Sequence, residues 1–595
     1  GTKVHVLCSH PTPPVFDDGD AAGGAVDWNG RRNHDEIRFW LDYVTPGKGS
    51  YIYDDNQTFG NLAAGDHFVI MGDQNADPDE GDSYNNAISQ LLKSSEINGS
   101  IMPESDGAED FGIDRDDTAS WGMRADYVLP SSVNMAVENS GVFWPIHTDD
   151  AFDLVKADAS SDHRLVWADL RMKNESDYIT ELYYPHIACK KIWDTSISMI
   201  NTDASQAVNG ILTAHDESGM VLDTRFVTLP PNGRKEIGIR DEFTNPENIR
   251  YMTFTSDFDT VCGYAKFYVD GRYRAAVPAT ADVNSGDVSI PMIKSGSGWA
   301  TGIALVNTTG AAMDLTLEFD NGTSAVVSLP AGGHKAFTVG QLFDSVPQTD
   351  INSAVIKDAA GVIGLEVFTR TTSAQNRYAG SLLLKDDADP LIHFSHVAEM
   401  TEWHTQMGVH NPSGSDCEFT LTAYSQEGNA LASQVISVDA GETVLATVDS
   451  LGLPAATAWF KIKSTCPLVG FELFNAKDGS QLGAYSGVGN GGTACVMPKL
   501  DSDGVTTIAV VNTEVSTATV VFTAYGNGGN AVATATVELG RFEKKVLVPS
   551  ELFTQDISNA TYIGFTSNRK LAGFQLNTSS DGMMMDALPM LDGTE

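Results

Sequence analysis

The sequence predicts an α+β segment over residues 1–172 followed by four tandem all-β antiparallel sandwich repeats. Three observations lead there. Before Lys173 the chain has long loops rich in Asp, Gly and Asn and one stretch of helical period, Asn33 to Tyr43, where Ile37, Trp40 and Leu41 share a face. After it, short apolar runs alternate with turn residues and helical period disappears. The third observation is that the second part repeats itself.

A strand closing on an apolar residue plus Asn recurs at Asn201, Asn307, Asn411 and Asn512. A Gly followed by alternating apolar positions keeps step with it at Gly263, Gly364, Gly470 and Gly573. Two landmarks held in step through four copies define a repeat array. The copies are expected at 185–285, 290–390, 393–493 and 496–591, each with roughly seven short strands, the pattern of a β-sandwich. A repeat of this length can bury its own core, so beads are expected. The asparagines are expected to end strands by bonding nearby backbone. No repeat carries a local cluster of carboxylates, histidines or cysteines, which makes the repeats spacer, surface-attachment or assembly modules.

Composition narrows the function. The 595 residues are 42% hydrophobic and 19% charged, a globular balance over several domains. No apolar run reaches the length of a membrane helix. Gly1-Thr-Lys-Val-His-Val-Leu reads as a strand already under way. The 79 acidic residues against 37 basic ones put the formal charge at −42. No Lys/Arg stripe offers an extended nucleic-acid-binding surface. The surplus suits a secreted, extracellular or cell-surface protein whose self-repulsion is screened by salt. The six cysteines have no zinc spacing, and Cys189–Cys262 and Cys417–Cys466 are the two intradomain disulfides that could form in an oxidising compartment.

Four polar segments carry the candidate chemistry, all in residues 1–172. Val4 to Pro14 is a strand delivering His10 into a proline-stiffened loop. Phe68 to Pro78 is a strand ending in Gly-Asp73-Gln-Asn75, which sets Asp73 and Asn75 on the same side. Arg124-Ala-Asp126 opens the third segment, and Ser161-Asp162-His163-Arg164 lies in the fourth. Singly, each has a plainer reading: a Gly-Asp turn, a loop histidine, a cap, or an Asp126 paired with Arg124 or Arg164.

Together and in this order they resemble the endonuclease/exonuclease/phosphatase family, which includes pancreatic deoxyribonuclease. The flanks agree too, at Arg31-Arg-Asn33 with its helix, Ala119-Ser-Trp121 and Val142-Phe-Trp-Pro145. The resemblance implies a partial two-sheet sandwich and a metal-dependent phosphoester hydrolase of nuclease or phosphatase type. It implies Asp73 and Asp162 as oxygen ligands for a divalent cation, or as anchors for the groups that bind it, Mg²⁺ first and Mn²⁺ or Ca²⁺ as alternatives. Asn75 would hold a phosphate oxygen, His163 would act as general base or hold the phosphate, with Asp126 fixing its tautomer, and His10 would contact phosphate or protonate the leaving oxygen.

One departure matters. Family members bring an Asn and a metal-binding Glu on strands before the one bearing His10, and only nine residues precede His10 here. The expectation is therefore a domain lacking its N-terminal half, completed by a docked fragment of the same precursor, or an incomplete record. The alternative function is a non-catalytic structural, adhesive or filament-forming protein with a degenerate hydrolase domain. A homo-oligomer or surface assembly suits either reading. Which phosphoester is the substrate is not written in these motifs.

Overall fold

The computed structural model describes residues 3–17, 26–63, 65–94, 96–99, 101–156, 160–174, 177–269, 273–371, 377–398, 402–477, 481–501, 504–582 and 584–593. The chain is mostly β with few helices, as the composition of its segments predicts. It divides into two compact units, residues 1–179 with 225–228, and 180–224 with 229–595.

The first unit is built on a three-stranded sheet, β1 (Val4–Cys8), β2 (His67–Asp73) and β3 (Asp126–Pro130). β2 is central, parallel to β1 and antiparallel to β3. Side chains alternate across it, so Leu7, Phe68, Ile70, Tyr127 and Leu129 face α1 (Trp28–Val44) and bury Ile37 and Val44 of that helix. The helix starts one turn before the stretch read from its period, because Asp27 caps it by accepting the Gly30 N–H at 2.7 Å. Two short helices follow, α2 (Ser89–Leu92) and α3 (Asp106–Phe111). Val69 and Val128 on the opposite face pack against Val166, Ala168 and Leu170 of β5 (Leu165–Met172), which pairs antiparallel with β4 (Met135–Phe143). This is the partial two-sheet sandwich the family resemblance implies.

The second unit holds four copies of one topology. In the first, β6 (Thr180–Tyr184), β11 (Tyr251–Ser256), β8 (Val208–His215) and β9 (Val221–Leu229) form one sheet. The other orders β10 (Arg234–Gly238), β7 (Asp194–Asn201), β12 (Val261–Val269) and β13 (Tyr273–Pro278). Among the described residues every copy has these eight strand positions, one more than the sequence pattern suggested. In the last two copies the sixth and seventh merge into single 18-residue strands, Trp459–Ala476 and Tyr562–Ser579. The opening strand of each copy lies at or just before the start expected from the landmarks, at Thr180–Tyr184, Val288–Ile290, Asp389–Phe394 and Gly492–Met497.

The landmark asparagines are fully buried and bridge turns. Asn307 Nδ2 donates to the carbonyls of Ala311 (2.7 Å) and Pro330 (2.8 Å), and Asn201, Asn411 and Asn512 bond the matching carbonyls. A buried amide needs such partners, so this position tolerates little else. Cys417 and Cys466 are bridged, whereas Cys189 and Cys262 are free thiols. The second disulfide considered from the sequence is therefore absent.

The copies are not separate beads. Their eighth strands, Tyr273–Pro278, Arg377–Leu384, Leu482–Ser486 and Met585–Pro589, meet in a cycle: first with second, second with third, third with fourth, and fourth with first. One register position makes every junction, the first residue of the fifth strand, reaching into the preceding copy. His334 Nε2 lies 3.1 Å from His186 Nδ1, Thr443 Oγ1 donates to the Pro291 carbonyl at 2.9 Å, and Lys544 Nζ donates to the Ala458 carbonyl at 2.8 Å. Arg234 closes the cycle by donating from Nε to the Pro498 carbonyl of the fourth copy at 3.2 Å. Aromatic pairs fill two junctions, Phe368 with Phe471 and Phe474 stacked on Phe574.

The closing junction is ionic. Arg274 of the first copy bonds Asp586 and Asp501 of the fourth, and all three are at most 8% exposed. Asn577 Nδ2 donates to Asp586 Oδ1 at 2.8 Å, and Lys499 approaches Asp501 at 3.6 Å. Asp586→Ala should leave Arg274 with Asp501 as its remaining carboxylate partner and the buried Asn577 Nδ2 without this acceptor, and cost on the order of 3 kcal/mol, read by urea unfolding of the full chain. A loss under about 0.5 kcal/mol, the size of an ordinary surface change, would show that the junction is not formed in solution.

Candidate active site

The site forms where β2 ends and β3 begins. Their antiparallel register sets Asp73 directly opposite Asp126, both mostly buried. Two carboxylates this close repel when ionised. Burial pushes the Asp73 carboxyl above its ordinary range, and the Asp126 charge adds to that; the Asn75 N–H and the nearby His163 and His10 pull the other way.

Each neighbour has a local cause. Beyond β2 the chain turns through Asn75, at φ +49°, a left-handed conformation Asn accepts more readily than most residues. The turn is held because Asp73 Oδ1 accepts the Asn75 N–H at 2.8 Å. Asn33, fully buried on α1, donates from Nδ2 to the Gln74 carbonyl at 2.9 Å and pins the same turn to the helix. Thr118, also buried, accepts the N–H groups of Ala125 and Asp126 at 3.0 Å and donates its hydroxyl to Asp126 Oδ2 at 2.8 Å. The Thr118 carbonyl accepts the Arg164 N–H at 2.7 Å, which brings the start of β5 alongside.

That contact delivers His163. Its Nδ1 lies 2.8 Å from Asp126 Oδ2, its Nε2 lies 3.7 Å from Asp73 Oδ2, and Trp121 packs edge-on against the ring at 4.9 Å. Burial works against charging this imidazole. The Asp126 hydrogen bond, with the charges of Asp126, Asp73 and Asp162, outweighs it and raises the pKa above 6.5. His10 reaches the other side of Asp73, with Nε2 3.4 Å from Oδ2 and the ring largely exposed. Arg31, Arg32 and Trp28 line an open cleft of about 920 Å³ beside it.

Of the six residues singled out from sequence, five converge: His10, Asp73, Asn75, Asp126 and His163. Among the described residues Asp73, Asp126 and His163 form the one group of acidic and imidazole side chains whose ligand atoms lie within 4.8 Å of one another. Asp162 is not in it. That residue is exposed, and its carbonyl accepts the Ser120 N–H at 2.8 Å while its charge acts on His163 from outside. The Asn75 amide is already engaged, donating to the Pro11 carbonyl at 3.1 Å and to Asp73 Oδ2 at 3.2 Å. Thr118 was not among the sequence candidates. Its signal, a hydroxyl eight residues before Asp126, is too common to stand out in one sequence.

Residues 1–163 match the model of the Endonuclease/Exonuclease/phosphatase family. The match falls on the first unit, where the polar residues converge, and supports the resemblance read from the motifs. No curated protein matches the chain. One solved structure, described as "Crystal structure of tetra-tandem repeat in extending region of large adhesion protein", aligns with 66% of this chain and 94% of its own at 14% identity. The TM-score is 0.10, too low for that alignment to carry an argument about the repeats.

The raised His163 value sets a sign. A group that binds its proton more tightly when folded adds stability fully present below the unfolded pKa of about 6.5, and this is lost as pH rises through the folded value. Asp126→Asn should lower the His163 pKa below its wild-type value, measured by NMR titration in EDTA. An unchanged value would mean that the 2.8 Å contact does not persist in solution.

Proposed function

We propose that the first unit is a metal-dependent phosphoester hydrolase, and that the protein is secreted. The observation that carries the reading is the Asp126–His163–Asp73 line. With Nδ1–H donated to Asp126, His163 has its tautomer set, and the free Nε2 lone pair points toward the space beside Asp73. A water there could give up its proton to Nε2 as it attacks phosphorus in line, and His10 is placed to contact the phosphate or protonate the leaving oxygen. Arg31 and Arg32 in the adjoining cleft put positive charge near an anionic substrate, in a chain that is otherwise strongly acidic.

The donor chemistry suits a hard cation. Asp73 is a mostly buried carboxylate crowded by a second one, the arrangement that gains most from a divalent ion. Such an ion, Mg²⁺ by preference, would neutralise charge on the phosphoryl oxygens and take its remaining ligands from water and substrate. Asp162 would join Asp73 only after turning inward, and Asn75 would bind phosphate only by releasing Pro11. Those two requirements favour, as a second reading, a domain that keeps the fold without the chemistry.

Hydrolysis of bis-p-nitrophenyl phosphate, p-nitrophenyl phosphate and plasmid DNA, with Mg²⁺, Mn²⁺, Ca²⁺ or EDTA, separates the two. The hydrolase reading expects EDTA-sensitive turnover that falls by on the order of a hundredfold or more in His163→Ala, the size of a positioned acid–base contribution. Absence of EDTA-sensitive turnover on every substrate supports the structural reading.

A further inference from the structure

The cyclic junctions of the second unit can be compared position by position, because the register is the same in each. Two side chains flank the residue three before each landmark Asn. At the second junction, around Gly408, they are Leu445 and Phe471; at the third, around Ala509, Val546 and Phe574. At the closing junction, around Ser198, they are Glu236 and Tyr264. At the first junction, around Ala304, they are only Ala336 and Leu365.

The smaller pair leaves a cavity of about 480 Å³, within the range of small-molecule sites. Its floor is the sheet face of the second copy at Ala300, Gly302 and Ala304, flat for want of side chains. Trp193 and Phe267 of the first copy wall it. His186 and His334 also line it, rings stacked at 5.3 Å, and His334 is 1% exposed with its Nδ1 lacking a protein partner. Lys190 and Arg250 line the cavity against a single carboxylate, Glu217. Two cations to one anion is the reverse of the balance in this chain.

We propose that the cavity binds a small planar aromatic carboxylate. The ring would lie on the Ala/Gly floor between Trp193 and Phe267, a geometry offering both apolar burial and aromatic contact. The carboxylate would face Lys190 and Arg250. The imidazole pair shares one hydrogen between Nδ1 and Nε2, leaving one N–H and one lone pair on its outer nitrogens for a polar ring substituent. Both rings stay neutral near pH 7, since burial, with Arg250 and Lys190 adding to it, pushes His186 down to about 4 and His334 well below its ordinary 6.5. The attraction for an anion therefore rests on the lysine and arginine. None of this depends on the hydrolase reading.

Isothermal titration of the full chain with 2-naphthoate and with neutral 2-naphthamide tests it. Naphthoate should bind with a sub-millimolar Kd, and the amide about tenfold or more weakly, the scale of a charge-assisted contact. Lys190→Gln should weaken naphthoate toward the amide value. Ala336→Leu and Leu365→Phe, which install residues found at the matching positions of other copies, should abolish binding while thermal unfolding shows the fold intact. If neither filled variant folds, the amide comparison and Lys190→Gln decide. No binding of naphthoate at millimolar concentration, equal affinity for the amide, or binding untouched by a folded filled variant overturns the proposal.

Discussion

The candidate site is organised by one backbone register. Pairing β2 with β3 so that Asp73 faces Asp126 forces two carboxylates together away from bulk water. Every neighbouring feature relieves that crowding: the Asn75 N–H on Asp73, the Thr118 hydroxyl and His163 ring on Asp126, and His10 from the open side. Slipping the register by one residue would turn both acids to opposite faces. The core under the sheet, with Phe68, Ile70, Tyr127 and Leu129 against α1, prevents that slip, because the same slip would expose it. Packing thus fixes the electrostatics of the Asp73–Asp126–His163 group.

The second unit meets a different constraint. Each sandwich buries a core of its own, yet each also presents a flat sheet face that needs cover. Cyclic packing lets every copy cover its neighbour without an exposed end, so the first must meet the fourth. The four junctions solve the same geometry with different chemistry: aromatic filling at two, a buried Arg274–Asp586–Asp501 cluster at the closing one, and an under-filled imidazole-lined cavity at the first. A buried ion pair adds little net stability but punishes mispairing, since either partner alone would be stranded. That suits the junction where the chain must select a copy some three hundred residues away.

Much of this was legible in the chain itself. The repeat count, the β character and the strand-ending role of Asn201, Asn307, Asn411 and Asn512 follow from local pattern, because each rests on hydrogen bonds within one copy. The polar segments around His10, Asp73, Asp126 and His163 were legible through their order and flanks. What the tertiary structure alone decided is whatever depends on residues distant in sequence: the closure of first copy on fourth, the cavity left by Ala336 and Leu365, Thr118 as the anchor of Asp126, and Asp162 facing outward while its neighbour His163 faces in. Local periodicity reports which face of an element is buried. It does not report what buries it, because the partner is chosen by three-dimensional register that no short window of sequence contains.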